Sequence, residues 1–310
     1  MTKRIVCNLL SVLLLVLMAY TCAACTGSDP EQKSLVNEYN GLVSAFNESV
    51  TEHNDSIQRT IAANAALDKE ISAAQALISS GKIPLDMNTH ENLESAIEDA
   101  LESKVAIPDS ISVKATMKYS SRITEEEVEK LRAEIKVLAV LSVPDYTSVI
   151  RALLDAQDAF ENSVLALDKV TAPSDAFVMA CIKQIDSIIS IDAVTKNNDP
   201  NGLLGTEGGY IGCIYFSDSQ VDKTRLHLEP GEYDTISMGT IGGGAIEVYR
   251  SVEDAQERNA YLSSYDGTNL DPGSHIVVGT VVIRTSSMLT QVQQSELTNQ
   301  IISAMSEAGG

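Results

Sequence analysis

Tryptophan is absent from this chain, phenylalanine occurs four times, and aromatic residues make up only 5% of it. Basic residues are also scarce: 22 Lys+Arg stand against 43 Asp+Glu, a formal net charge of -21. Binding a phosphate backbone requires a basic face, so this balance excludes nucleic acid as the expected partner. It equally argues against a basic amphipathic face that clings to anionic lipid. Catalytic signatures are missing too. His53, His90, His227 and His275 form no H-E-x-x-H or other close ligand pair. No G-x-S-x-G elbow occurs. The glycines from Gly239 to Gly244 are followed by no Lys-Ser/Thr pair, and they read as a flexible entry to a strand. The single C-x-x-C, Cys22 to Cys25, lies in the N-terminal leader.

Apolar residues are not lacking. At 44% of 310 residues they are sufficient for a sizeable core, and the length suits two domains.

The first residues have the order of an export signal. Lys3 and Arg4 precede an apolar stretch densest from Val12 to Ala19, and small residues lead to Cys22-Ala23-Ala24-Cys25. The segment resembles a bacterial lipoprotein signal peptide, in which a small residue precedes a Cys that is lipidated and becomes the mature N-terminus. Ala23-Ala24-Cys25 fits that pattern, although Cys22 stands where Leu is usual. The resemblance implies residues 1–24 as signal peptide, Cys25 as lipidation site and residues 25–30 as a tether. It places the chain on the extracytoplasmic face of the cell membrane, with the bilayer as a partner through the lipid. The alternatives are secretion with cleavage after Ala24, or an uncleaved anchor. Loss of residues 1–24 removes two cations and leaves a charge of -23. Of the remaining cysteines, Cys181 and Cys213 read as small buried hydrophobes, with pairing in an oxidising exterior as the alternative.

Residues 31–172 read as all-α. From Asp29 to Ser80 apolar positions recur in steps of three and four, from Val43, Phe46 and Val50 to Leu67, Ile71, Ala74 and Ile78. This heptad seam predicts a long helix in a coiled-coil-like contact, and His53, Thr60 and Asn64 form a register-setting polar layer within it. Gly81 and Pro84 end it. A second helix is predicted from Asn88 to Lys104, and residues 110–123 are ambiguous and suit an extended linker. A third helix opens on the capping box Thr124–Glu127, and a fourth runs to Leu167. Short breaks between helices predict a hairpin or bundle. Residues 26–172 carry 25 acidic and 13 basic residues, net -12.

Residues 173–310 change texture. Gly and Pro crowd the stretch from Pro200 to Gly244, and alternating apolar runs appear. The predicted elements are a helix from Pro173 carrying residues as far as Ile188, a short strand at 191–194, and strands at 209–216 and 244–249. A helix capped by Ser251 with Asp254 follows. His275–Thr285 is either a bulged strand or a hairpin at Gly279, and a last helix is capped by Thr290 with Gln293. The order α-β-β-β-α-β-α predicts a small, mainly antiparallel sheet with helices on one face. With 18 acidic and 7 basic residues this region is net -11, so the charge marks no single acidic tail. Taken in order, Asn198-Asp199-Pro200-Asn201-Gly202-Leu203-Leu204-Gly205, Gly209-Tyr210-Ile211, Gly243-Gly244-Ala245-Ile246-Glu247-Val248-Tyr249 and Val278-Gly279-Thr280-Val281-Val282-Ile283-Arg284 resemble the C-terminal domain of exported lipoproteins from Gram-positive bacteria. That resemblance implies an architecture and an address, and carries over no catalytic residue.

The candidate site residues are few. Asn197, Asp199 and Asn201 echo a calcium loop, but its first acid is missing and Glu207 arrives one residue early, so a tight turn is the expected reading. Arg284 is expected on an exposed sheet face, with a binding role as the alternative. No cofactor is implied. The expected function is a membrane-anchored binding or structural protein of the cell envelope, with a wall or envelope protein as a further partner, rather than an enzyme. The alternative is an exported hydrolase with its site in the Gly-rich region 199–244.

Overall fold

The computed structural model describes residues 29–138, 141–226 and 234–307. The leader, Cys25 and His227 lie outside them. By contact the chain divides into two compact units, Met1–Leu67 with Lys104–Tyr146 and Asp68–Ser103 with Thr147–Gly310. The change of texture at Pro173 is therefore not where the contacts divide the chain. No helix among the described residues is long and apolar enough to cross a membrane.

Helix α1 (Pro30–Ser79) enters both units. In the first, its seam residues Val43, Phe46 and Val50 pack against Leu131 and Ile135 of α3 (Glu125–Val137), and Val36 packs on Ile123 and Val128. The capping box that opens α3 forms as expected, Thr124 accepting from the Glu127 N–H while the Glu127 carboxylate accepts from Thr124 N–H. His53, Thr60 and Asn64 are buried on the seam.

The linker 105–123 is extended, and asparagines of α1 hold it. Asn40, Asn47 and Asn54 each present a side-chain amide to one linker residue, and both halves of the amide are used. Asn47 Nδ2 donates to Lys114 O at 2.8 Å while Lys114 N donates to Asn47 Oδ1 at 2.7 Å. The same two bonds join Asn40 to Met117 and Asn54 to Ile111. Seven helical residues rise about 10.5 Å and three extended residues about 9–10 Å, so a step of seven on the helix matches a step of three on the linker. The next rung would join positions 61 and 108. Those are Ile61 and Pro108, and proline has no N–H to give. The ladder resumes at Asn64, which donates to Val105 O and accepts from the Tyr146 hydroxyl, while that hydroxyl accepts from Val105 N.

In the second unit, α2 (Asn88–Glu102) and α4 (Thr147–Lys169) bury Leu93, Ile97 and Ala100 and Leu153 and Phe160. The chain entering α2 is fixed by Ser163, whose carbonyl and hydroxyl oxygens accept from Leu85 N and Asp86 N. Helix α5 (Asp175–Ile182) is shorter than expected, and Ile188 opens a strand instead of closing the helix.

The sheet has five strands in the order β1-β2-β3-β5-β4, every neighbouring pair antiparallel: β1 Ile188–Ala193, β2 Gly212–Asp218, β3 Gly243–Val248, β4 Ser274–Val278 and β5 Val281–Thr285. A short helix α6 (Thr235–Met238) precedes β3, α7 (Val252–Ser263) follows it, and α8 (Gln291–Glu307) closes the described chain. The segment 275–285 is thus a hairpin. Gly279 at its turn has φ +60°, and a Cβ there would lie 2.5 Å from Val170 O, so only glycine fits.

Helices cover both faces of the sheet, not one. On the first face, Ile214, Phe216, Ile246 and Ile283 pack with Val178 and Ile182 of α5 and Leu297 and Ile301 of α8. On the second, Cys213, Tyr215, Ala245 and Val282 pack with Ala255 and Leu262 of α7. Strands β2, β3 and β5 are consequently buried at every position. Fully buried Phe216, Ile246 and Ile283 each contribute about 1.5–3 kcal/mol. Gly244 serves the same close packing, since a Cβ there would lie 2.3 Å from the Phe216 ring. Cys181 and Cys213 are free and buried in the two separate clusters.

Asn47→Ala removes two hydrogen bonds and is expected to cost about 1–3 kcal/mol. The deciding measurement is amide exchange at Lys114, which should accelerate with Asn47→Ala. Asn47→Asp keeps an acceptor for that N–H and loses the donor for Lys114 O, so it should protect the amide and still destabilise the chain.

Candidate functional site

The polar chemistry of the second unit gathers on the α7 face of the sheet. Register puts Cys213 of β2 opposite Glu247 of β3, and Glu247 opposite Val282 of β5, so Arg284 lies one diagonal step from Glu247. Arg284 is not on an exposed face. It is 8% exposed because α7 covers this side, and its Nη1 donates to Glu247 Oε1 at 2.8 Å. Arg258 of α7 approaches from above, donating from Nε to Oε2 at 2.8 Å and from Nη2 to Oε1 at 3.0 Å. The Tyr249 hydroxyl donates to Oε2. Glu247 is wholly buried. Burial pushes its carboxyl up, but the Arg258 hydrogen bonds and the two guanidinium charges outweigh that and hold it below the usual glutamate value of 4.5. Burial pushes the Cys213 thiol up, and the Glu247 charge adds to the effect. Cys181 is likewise raised by burial.

The loop after β1 is tied to the same face. Asp199 accepts from Asn201 N through Oδ1, from Leu204 N through Oδ2 at 2.7 Å, and from the Tyr210 hydroxyl. Asn201 Nδ2 donates to the hydroxyls of Tyr210 and Tyr215. Burial raises Tyr210 most, and its bond to Asp199 adds to that; Tyr215 is raised chiefly by burial. Of the three calcium-loop candidates, Asp199 therefore has both carboxylate oxygens engaged by its own loop, Asn201 points its amide at two tyrosines, and Asn197 is exposed. No group of three or more His, Cys, Asp or Glu side chains able to hold a metal ion occurs among the described residues.

An open cleft of about 830 Å³ lies at the β4 edge of the sheet. His275 of β4 forms part of its wall and sits across from Arg284 in register, so His275 and the buried charges share one face, while Ile276 and α8 line the cleft from the other. The His275 side chain is 6% exposed. Its Nδ1 is 2.7 Å from Asn259 Oδ1 of α7 and its Nε2 is 3.1 Å from Asp266 Oδ1, which fixes the ring between two elements. Asp271 closes the loop below, accepting from Gly273 N and Gly267 N. The first turns of α8 supply the opposite wall through Gln291, Gln294 and Ser295. This cleft has no counterpart in the sequence motifs, because its walls come from three segments that only the fold brings together. The one local signal was His275.

Searches of protein-family models, curated proteins and solved structures find no match to this chain.

Replacing Glu247 by Gln leaves two buried guanidinium groups without a counter-charge and should cost about 3–5 kcal/mol, read as a fall in the denaturation midpoint. The pH dependence has a definite sign. A carboxyl depressed in the folded state stabilises fully above its unfolded value and loses that contribution as pH falls through the folded value. The melting temperature should therefore drop below pH 4.5, and more shallowly in Glu247→Gln. Equal slopes for the two chains would contradict the assignment.

Proposed function

We propose that this chain is a lipid-anchored protein of the extracytoplasmic face of the cell membrane, with a binding or structural role in the envelope. The observation that carries the reading is the order of the leader: Lys3-Arg4, the apolar stretch to Ala19, then Ala23-Ala24-Cys25 followed by Thr26-Gly27-Ser28. A chain this acidic finds little electrostatic attraction at an anionic surface, so a covalent lipid on Cys25 would do the holding. On this reading the helical region serves as a coiled-coil-like spacer. The buried seam from Val43 to Ala74 supports that role.

A binding role is favoured over hydrolysis by how the polar side chains of the Gly-rich region are used. Asp199 and Asn201 spend their hydrogen bonds on their own loop and on tyrosines. A hydrolytic site there would need a nucleophile and base free to meet a substrate.

Mass spectrometry of the native chain should find a diacylglyceryl group on Cys25 as the N-terminal residue. Cys25→Ala should leave the protein unlipidated and shift it out of the membrane fraction. An unmodified N-terminus would refute the anchor.

A further inference from the structure

We propose that the cleft at the β4 edge is a binding site for a neutral, polyhydroxylated ligand, an oligosaccharide segment. The inference rests on the binding role proposed above and names its ligand class.

The argument starts from the side chains. Apart from Gly273, Ile276 and Leu289, every residue lining the cleft is polar, and the lining holds two carboxylates, Asp266 and Asp271, with no Lys or Arg. That charge balance disfavours phosphates, uronates and other anions. The remaining groups are amides and hydroxyls, which donate and accept alike. Their complement is a ligand dense in groups that also do both, and sugar hydroxyls meet that description.

The polar groups also fall into two sets. One set is committed to the protein. His275 is held by Asn259 and Asp266, Asp271 by the backbone at 267 and 273, and the Gln294 amide by Ser286 O. The other set is uncommitted. Among the described residues nothing bonds the side chains of Ser274, Ser287, Gln291, Ser295 or Asn299. A fixed frame carrying unspent donors and acceptors is how a small number of polar groups orient a ligand in a cleft. The frame has no Phe, Tyr or Trp on which a sugar ring would stack, and the apolar floor is Ile276 and Leu289. Affinity therefore comes from hydrogen bonds, each with a modest net value, and falls near a Kd of about 1 mM or somewhat below.

β4 is an edge strand, so an extended peptide is the competing occupant. Strand addition draws its specificity from pockets for alternate side chains, and this cleft offers a peptide only two apolar contacts.

The test is titration of the isotope-labelled full chain, followed by amide shifts, with chitotetraose and maltotetraose as neutral probes. Oligogalacturonate serves as the anionic control and a capped Ala-Ser-Thr-Ala peptide as the strand control. The expected result is saturable shifts from a neutral sugar, confined to residues of α7, β4 and α8, with none from the anion or the peptide. Ser295→Ala with Asn299→Ala, both at exposed positions, should weaken binding about tenfold and leave the melting temperature unchanged. No saturable shift from either neutral sugar up to about 10 mM overturns the proposal. So does an equal response to oligogalacturonate, which removes the charge argument, or a response to the peptide alone, which reassigns the cleft to strand addition. The purified chain binds or fails to bind whatever the state of Cys25, so the outcome is separate from that of the anchor test.

Discussion

Backbone hydrogen-bonding groups that leave a helix or sheet still need partners, and this requirement shapes the first unit. Residues 105–123 belong to no helix or strand. The backbone groups of Ile111 and Lys114, which lie half-buried against α1, would each cost as much as a lost hydrogen bond without partners. Asn40, Asn47 and Asn54 meet the requirement, each giving one linker residue the two bonds that a neighbouring strand would give. The match between seven helical and three extended residues lets one residue type do this repeatedly. It also explains the gap, because Pro108 could not complete the rung that Ile61 leaves out. Apolar packing rides on the same register. Lys114 is clamped by Asn47, its ammonium lies 5.0 Å over the Phe46 ring, and it pairs with Glu134 of α3 at 3.0 Å.

The second unit obeys the same rule with charge in place of backbone. Covering both faces of a small sheet buries β3 completely, and β3 contains Glu247. A carboxylate in that position survives only when its lone pairs are filled, and Arg258, Arg284 and Tyr249 fill them. Arg258 comes from α7, the helix whose packing creates the burial. The element that imposes the desolvation therefore also supplies part of the compensation. Removing α7 would expose the carboxylate and withdraw one partner at once, which ties helix docking to strand pairing.

What was legible in the sequence was local. The seam from Val43 to Ala74, the capping boxes at Thr124 and Thr290, and the cap at Ser251 depend on residues within a few positions of each other, and all are found in place. What was not legible depends on tertiary cover. Arg284 follows an apolar run and stands beside Thr285 at the end of its strand, where an exposed Arg is ordinary, and nothing within β5 reveals that α7 lies over it. Asn40, Asn47 and Asn54 are spaced by seven in the sequence, yet a seam of that period suggests a partner helix, and the spacing on the helix does not disclose an extended one. The cleft is the extreme case, drawing Asn259, His275 and Asn299 from three segments none of which carries a binding or catalytic motif.

Two kinds of polar group in this unit can then be told apart by what they still have to give. The Glu247 cluster and the Asp199 loop are closed: the carboxylate oxygens of Glu247 and Asp199 are taken up by neighbouring protein donors, and their effect is to fix the fold. The β4 cleft is open: His275 and Asp271 are fixed, and the hydroxyls and amides around them are not. The two meet at one register pair, His275 across from Arg284. The buried charges hold β5, β5 holds β4, and β4 places His275 between Asn259 and Asp266. Rigidity in the closed cluster is thus what gives the open one a defined shape, and a cleft whose walls come from α7, β4 and α8 keeps that shape only while all three stay locked to the same sheet.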